Sequence, residues 1–323
     1  MDNDRLRSLL KEATTGDPSI SPDSVLANLA RQTAQLPIAN ALLNQSAFDL
    51  EAMEKRLSIF RSVVPAYDNA ARVLGLRNLD HLALWSVYLP LAEHIIRARK
   101  NTARCFTVVI TGAPGAGKST LAHVVELVLV EGFGVETLKI GSDDLYLPRT
   151  EKLALGQRWR GPSTIDRSFA SNLFRSLREG VEDLDVPRYD SMKDDRRCVE
   201  KIHGAPSFCL FEGWLAGRIA SDLSDSLGEP LIDLLIFLDI DLEVAKAARF
   251  RREEQARRLS RHTEGISRHD MDSFWNESIE PGIAQHTLPF LSRADLIIEI
   301  DRIHRPQAVT VSSADRRSSA SPQ

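Results

Sequence analysis

The strongest constraint on this chain is an eight-residue, glycine-rich segment that ends in lysine and serine. Residues 112–119 read GAPGAGKS and match the pattern G-x-x-x-x-G-K-[ST] in full. A run rich in β-branched residues precedes it at 105–112, and an apolar helical pattern begins at Lys118. Glycines let backbone N–H groups wrap around phosphate oxygens, and the start of the following helix adds partial positive charge. The pattern predicts a strand–loop–helix unit that binds a nucleoside triphosphate.

Each residue of this loop has an expected role. Lys118 should reach the β- and γ-phosphates, the Ser119 hydroxyl should bind Mg²⁺, and Thr120 should donate to the α-phosphate. The other predicted nucleotide-binding positions act through their backbone: Gly112, Ala113, Pro114, Gly115, Ala116 and Gly117. The guanine-recognition pattern N-K-x-D is absent from the sequence. We therefore expect ATP and Mg²⁺ as the cofactors.

The remainder of the chain alternates strand and helix patterns. Short apolar runs lie at 134–140, 206–213, 231–240 and 294–300, and helical stretches lie at 118–131, about 165–179, 242–261 and about 270–292. Short buried strands that alternate with helices are typical of a parallel sheet covered on both faces. The predicted fold class is therefore α/β, a P-loop nucleotide-binding fold with helices on both faces of a parallel sheet.

The composition along the chain predicts three parts. Residues 1–101 have apolar positions at helical spacing and a single glycine in the first 74, which predicts a helical N-terminal extension. Residues 102–304 form the predicted kinase domain, and residues 305–323 offer little to bury and are predicted to be a disordered tail. The extension is interpreted as a packing element. The alternative is a surface for homodimerisation or for a partner.

Overall composition excludes several classes of protein. Lys and Arg number 41 against 45 Asp and Glu, so the net charge of −4 argues against nucleic-acid binding by bulk charge. Three scattered cysteines are too few for a disulfide framework or a zinc site. No apolar stretch reaches the ~18 residues of a membrane span, and the N-terminus has no signal-peptide pattern. We expect a cytoplasmic protein without membrane or nucleic-acid partners.

Carboxylates follow two of the predicted strands. Asp143 and Asp144 come directly after the second strand, at the sheet edge where ligands of parallel sheets bind. Asp143 is the predicted general base for an attacking hydroxyl, with Asp144 as the alternative. Glu212 ends the next strand and is predicted to hold Mg²⁺, with Asp239 as its competitor.

Arginines and other polar residues gather in three later segments. Arg249 and Arg252 share a helix face and are predicted to close as a lid over the transferring phosphoryl group, although a run of charge is often only a solvated face. The segment 187–196 holds arginines that can clamp a carboxylate or phosphate. The segment 160–166 opens a helix, so Thr164 or Asp166 could simply be its N-cap.

These motifs together resemble the phosphoribulokinase, uridine kinase and glycerate kinase group of P-loop kinases, and D-glycerate 3-kinase most closely. The segments that carry the likeness read GSDDLYLP at 141–148, RGPSTID at 160–166, PRYDSMKDDR at 187–196 and FEGWLAG at 211–217. The resemblance spans about residues 80–304 and implies that Asp143 is the base and that Arg249 and Arg252 lie in the lid. It implies that Arg160, Asp166, Arg188 and Arg196 lie in the substrate pocket. The predicted substrate-binding residues also include Asp144, Tyr146, Tyr189 and Glu212.

The expected activity is transfer of the γ-phosphoryl group of ATP to a hydroxyl of a small metabolite, D-glycerate or a related hydroxy acid. One alternative is a uridine or other nucleoside kinase, because 267–298 looks more like the uridine kinase branch and aromatic residues are available for stacking. Those residues are Tyr146, Trp159, Tyr189 and Trp214. The alternative from another class is a non-catalytic ATP-binding regulator whose N-terminal helices bind a partner.

Overall fold

A computed structural model describes residues 3–15, 22–73, 80–99, 103–157, 160–191, 193–259 and 268–312. Its strands are β1 (Phe106–Gly112), β2 (Thr137–Gly141), β3 (Asp183–Asp190), β4 (Asp195–His203), β5 (Phe208–Glu212), β6 (Leu234–Asp239), β7 (Leu296–Ile300) and β8 (Pro306–Val311). Six of them form one sheet in the order β2-β5-β1-β6-β7-β8, parallel except for β8. This arrangement confirms the predicted α/β fold class.

Helices cover both faces of this sheet. Those before residue 100 precede the sheet in the chain, and the others alternate with its strands. They are α1 (Asn3–Thr15), α2 (Pro22–Thr33), α3 (Pro37–Leu42), α4 (Leu50–Val73), α5 (His81–Ala83), α6 (Leu89–Ala98), α7 (Lys118–Leu127), α8 (Arg149–Ala154), α9 (Arg167–Glu179), α10 (Ala216–Leu227), α11 (Leu242–Leu259), α12 (Arg268–Phe274) and α13 (Glu280–Gly282). A wide π-helical turn, Leu84–Tyr88, joins α5 to α6. Within the part of the chain that is described, no helix is long and apolar enough to cross a membrane.

The central strand β1 explains why the sheet lies in the middle. All seven of its residues are buried, as expected for a parallel strand covered on both faces. Val108 and Ile110 face the apolar core shared with the N-terminal helices, and Val109 faces the core on the other side of the sheet. The strand ends at Gly112, so the phosphate-binding loop emerges at the carboxyl edge of the sheet.

The N-terminal helices share a core with the sheet. Trp85 is fully buried, packs edge-on against Phe60 at 5.5 Å, and donates its indole N–H to Thr33 Oγ1 at 2.9 Å. The same apolar cluster includes Phe106 of β1 and Leu121 of α7. The core therefore continues from the N-terminal helices into the sheet. A domain boundary at 101/102 stays a prediction.

The end of the sheet corrects one prediction. Residues 306–311 form β8, which pairs antiparallel with β7, although the sequence predicted a disordered tail from residue 305. The prediction was wrong there because an edge strand needs only one buried side chain, here Val309, while the backbone ladder to β7 supplies the rest. Residues 313–323 of the predicted tail lie outside the described residues.

The sequence analysis did not predict the β3–β4 hairpin. Its second strand is mostly exposed and rich in charge, so it lacks the apolar run by which the other strands were found. The hairpin lies beside the turn that follows β2 and reaches the site through Tyr189, whose N–H donates to Asp144.

Candidate functional site

The phosphate-binding loop has the backbone that its glycines predict. Gly115 and Gly117 have φ values of 92° and 95°, which favour glycine. A Cβ at Gly115 would overlap the carbonyl oxygen of Ala245, so α11 packs directly against the loop. The ammonium of Lys118, 7% exposed, donates to the carbonyl of Ala113 at 2.7 Å. Burial lowers the pKa of Lys118 to about 8, and the nearby Glu212 carboxylate opposes that shift.

The two aspartates after β2 face different surroundings. Asp144 accepts hydrogen bonds from the N–H groups of Gly141 at 2.9 Å and Tyr189 at 3.0 Å, and burial raises its pKa. These contacts hold the turn and the hairpin together, and the role of Asp144 as a substrate contact stays a prediction. The side chain of Asp143 is 45% exposed, and its carboxylate lies 3.9 Å from Nη1 of Arg160. Of the two, Asp143 is therefore the more exposed, and it lies near Lys118, Glu212 and Arg160; the space between these four side chains is called the cleft.

Glu212, at the end of β5, lies between the end of β1, which leads to the phosphate-binding loop, and the end of β2, which leads to Asp143. The strand register places it beside Ile110 of β1 and Gly141 of β2. Burial raises the pKa of Glu212, while the Lys118 ammonium and a hydrogen bond with the Ser119 side chain lower it. The carboxylate and the hydroxyl are thus adjacent oxygen donors next to the phosphate-binding lysine.

A glycine after β5 allows this strand to come close to the turn that follows β2. Gly213 follows β5 with a φ of 151°, and a Cβ at this position would overlap the side chain of Ser142. The end of β5 and the turn that carries Asp143 can therefore meet only because residue 213 lacks a side chain.

Arg160 lies beside Asp143 at this cleft and forms one of its walls together with the residues that it contacts. Its side chain is 7% exposed, and its guanidinium carbon lies 5.9 Å and 5.7 Å from the ring centres of Tyr146 and Tyr189. Its Nε lies 3.3 Å from a carboxylate oxygen of Asp194. Its Nη1 is buried and has no hydrogen-bond partner among the described residues.

Two residues that sequence reasoning missed complete this wall. Lys152 is 1% exposed and forms an ion pair with Asp194, so Arg160 and Lys152 share one carboxylate. Desolvation and the nearby Arg160 lower the pKa of Lys152 to about 8. No motif marks Lys152 in the sequence. Asp194 lies in the polar segment 187–196, and only the structure shows its left-handed backbone, with a φ of 53°.

The predicted lid arginines lie on α11 beside the loop. Arg249 is 7% exposed and pairs with Glu253 at 2.7 Å. Arg252 is close enough to Lys118 to contribute to lowering its pKa. Burial raises the pKa of Glu253, and Arg252 and Arg160 oppose that shift. The helix therefore brings Arg252 near Lys118, whereas Arg249 packs its backbone against Gly115 of the loop and pairs its guanidinium with Glu253.

Three other predicted substrate residues brace the walls instead of facing the cleft. Arg188 pairs with Glu200 at 2.7 Å and donates to the carbonyl of Lys139 at 3.0 Å, which ties the hairpin to β2. Arg196 pairs with Asp166 at 2.9 Å. Asp166 also caps α9 by accepting from the N–H of Phe169 at 3.0 Å. Arg188 and Arg196 thus contact other groups of the protein, and their role as a clamp for an anionic substrate group stays a prediction.

The chain resembles known proteins in sequence and in fold. The model of the Phosphoribulokinase / Uridine kinase family matches residues 107–304. A uridine kinase of Haemophilus influenzae is 26% identical over 199 residues, covering 60% of this chain and 86% of that protein. A uridine kinase of Shewanella halifaxensis is 25% identical over 203 residues, covering 61% and 89%.

Among solved structures, D-glycerate 3-kinase from Cryptococcus neoformans superposes with a TM-score of 0.55 at 14% identity, covering 69% of this chain and 98% of that one. At that identity the likeness supports the fold alone.

Proposed function

The chain belongs to the phosphoribulokinase/uridine kinase family of kinases, and we propose that it transfers the γ-phosphoryl group of ATP to a hydroxyl of a small anionic acceptor. The proposed acceptor is D-glycerate or a related hydroxy acid. The observation that carries this proposal is the buried guanidinium of Arg160, whose Nη1 has no hydrogen-bond partner among the described residues and lies 3.9 Å from a carboxylate oxygen of Asp143.

The charge around Arg160 favours an anion. A buried donor left without a partner costs about 1–3 kcal/mol, and more when it is charged. Arg160 and Lys152 share the carboxylate of Asp194, and Asp143 lies 3.9 Å from Nη1 of Arg160 without a hydrogen bond to it. A carboxylate on the acceptor would give Nη1 a charge-assisted hydrogen bond, whereas a neutral nucleoside offers only uncharged acceptors.

The residues of the loop fit a magnesium nucleotide. Ser119 and Glu212 supply adjacent oxygen donors, the ligand type that Mg²⁺ prefers. When bound, the ion supplies neutralisation of charge on the phosphate oxygens. Lys118 and the loop N–H groups would hold the phosphates, and Arg249 and Arg252 would stabilise charge that develops on the transferring group.

Asp143 is the proposed general base. Its carboxylate faces the same cleft as Arg160, so an acceptor held through its own carboxylate would present a hydroxyl towards Asp143. Asp143 would then accept the hydroxyl proton as the oxygen attacks the γ-phosphorus. Most of the catalysis would come from positioning and electrostatics, as in other phosphoryl transfers.

A matched pair of acceptors tests the proposal. Full-length protein is incubated with ATP and Mg²⁺ and with D-glycerate or glycerol, which has the same three-carbon skeleton but no carboxylate. We expect saturable ADP formation and a phosphorylated product, identified by mass, with D-glycerate and not with glycerol. Equal turnover of the two, or turnover of uridine alone, contradicts an anionic acceptor.

A uridine kinase activity is the second candidate, since the sequence relatives named above are uridine kinases. Of the aromatic residues suggested for stacking, Tyr146 and Trp214 are buried within the fold, and Trp159 lies outside the described residues. Tyr189 is half-buried and packs against Tyr146 at 5.6 Å. Uridine in the same assay decides between the two candidates. Nucleotide binding without turnover of any acceptor would favour the non-catalytic regulator.

A further inference from the structure

A second cavity, of about 620 Å³, lies against the phosphate-binding loop. One end is formed by Gly117 and Thr120, the residues on either side of Lys118 and Ser119. Leu238 at the end of β6 and His304 between β7 and β8 form the inner wall. The size is within the range of about 300–1,000 Å³ that is common for small-ligand sites.

The sheet order places this cavity on the opposite side of the loop from the acceptor cleft. β2, which leads to Asp143, lies to one side of β1, and β6, β7 and β8 lie to the other. A triphosphate that lies in the loop with its γ-phosphate towards Asp143 must therefore extend its nucleoside towards β6 and β7. That direction leads into the cavity.

The outer wall comes from the N-terminal helices. Pro37 and Ile38 of α3 line it, as do Leu82, Ala83 and Ser86 of α5 and the wide turn that follows. These residues precede the segment that matches the family, which begins at residue 107. We propose that the N-terminal helices complete the nucleoside pocket of this chain, so that affinity for the base depends on residues 3–88. This inference rests on the proposed kinase function.

Both walls are held in place by specific contacts. In the outer wall, Arg7 of α1 pairs with Asp80 at 2.6 Å, and Asp80 caps α5 by accepting from the N–H of Ala83 at 2.8 Å. In the inner wall, Nε2 of His304 lies 2.9 Å from the carbonyl oxygen of Gly115. The inner wall is thus linked to the loop, and the outer wall to α1. A cavity with apolar and polar residues in both walls suits a nucleoside, whose base gains affinity by burying its faces against the apolar residues.

A cavity-filling variant tests the outer wall. Ser86 lines the cavity, and its hydroxyl donates to Leu82 of its own helix at 2.6 Å, so Ser86→Phe adds bulk to the cavity and removes a bond local to the helix. Val73→Phe is the matched control, because Val73 is 73% exposed on α4 and does not line the cavity. Calorimetry on the full-length proteins measures binding of ADP and of inorganic tripolyphosphate, which has no base.

We expect Ser86→Phe to weaken ADP binding by about tenfold or more, the effect of losing contact with one face of the ring system. Tripolyphosphate binding should stay unchanged, as should both affinities in Val73→Phe. Unchanged ADP binding in Ser86→Phe overturns the inference.

Hydrogen exchange on the wild type keeps the test independent of the variant's folding. ADP should slow amide exchange over 82–88 more than tripolyphosphate does, and equal effects of the two ligands overturn the inference even if Ser86→Phe is unstable. Binding of ADP at this wall without turnover of any acceptor supports the inference and contradicts the proposed function. A wild type that binds tripolyphosphate but no ADP overturns both.

Discussion

The assignment of Asp143 as the general base leads to a quantitative prediction for Asp143→Asn. The side chain is 45% exposed and borders the cleft, so exchanging the carboxylate for an amide changes little buried packing. The amide cannot accept the hydroxyl proton. Loss of a general base lowers kcat by about 10²–10⁴-fold, or about 3–5 kcal/mol in activation free energy. ATP binding and thermal stability should stay near the wild-type values, since a surface exchange changes stability by about 0.5 kcal/mol or less.

Asp144→Asn is the matched control, because the same exchange one residue later meets a different environment. The carboxylate of Asp144 accepts from two backbone N–H groups, at Gly141 and Tyr189. An amide has one acceptor oxygen, so one N–H loses its partner at a cost of about 1–3 kcal/mol. Burial raises the pKa of Asp144, so removing the charge returns part of that free energy. We expect Tm to fall by about 2–4 °C for each kcal/mol of net loss, with turnover per folded molecule largely kept.

The assay is coupled ADP release at saturating ATP and Mg²⁺ with the acceptor identified in the panel, alongside thermal unfolding of each variant. Near-normal kcat in Asp143→Asn refutes the reasoning. A large loss of kcat in Asp144→Asn, with wild-type Tm, would transfer the role of base to Asp144.

Three further predictions concern binding and stability. Arg160→Met should raise the KM for a hydroxy-acid acceptor by about 10–100-fold, the worth of a hydrogen bond to a charged group, and should leave the KM for ATP unchanged in steady-state kinetics. The pKa of Lys118 is about 8 without ligand, and bound phosphate favours the charged form, so ATP binding should take up a proton above pH 8. The Kd for ATP should then rise by up to about tenfold per pH unit above 8. Calorimetry in buffers of different ionisation enthalpy measures the proton uptake. A Kd that does not change up to pH 9.5 would exclude this linkage. Gly213→Ala should destabilise the fold by more than Gly228→Ala, because both glycines have positive φ but only Gly213 faces Ser142. Chemical denaturation measures the free energy of unfolding of both variants. Equal losses of this free energy would contradict the packing argument.

Much of the α/β fold could be predicted because its signals are local. Each parallel strand is buried on both faces and therefore appears as an apolar run, as in 206–213 and 231–240. Sequence reasoning missed the β3–β4 hairpin and β8. β4 and β8 are mostly exposed, and in β3 exposed Asp183 and Asp185 alternate with buried Leu184 and Val186 only over 183–186. Such segments lack the apolar run of a strand buried on both faces, and backbone pairing with a neighbouring strand specifies their structure.

The residues of the candidate site also differ in how local their sequence signals are. Lys118 and Ser119 belong to a contiguous motif, and Asp143 and Glu212 follow buried strands, so short-range sequence was sufficient to nominate them. The arginines were harder to assign because the sequence shows the charge and not the direction of the side chain. Arg188 braces the hairpin through Glu200, whereas Arg160 faces the cleft beside Asp143.

The sequence by itself determined that this chain has a phosphate-binding loop on a parallel sheet, since glycine conformation, helix polarity and strand burial are properties of adjacent residues. Only the tertiary structure decided which side chains line the cavities. Lys152 and Arg160 meet at Asp194, which lies 42 residues after Lys152, and α3 meets the loop across a longer separation. Such pairings depend on how separate elements pack, and no local pattern encodes which face of each element is turned towards the loop.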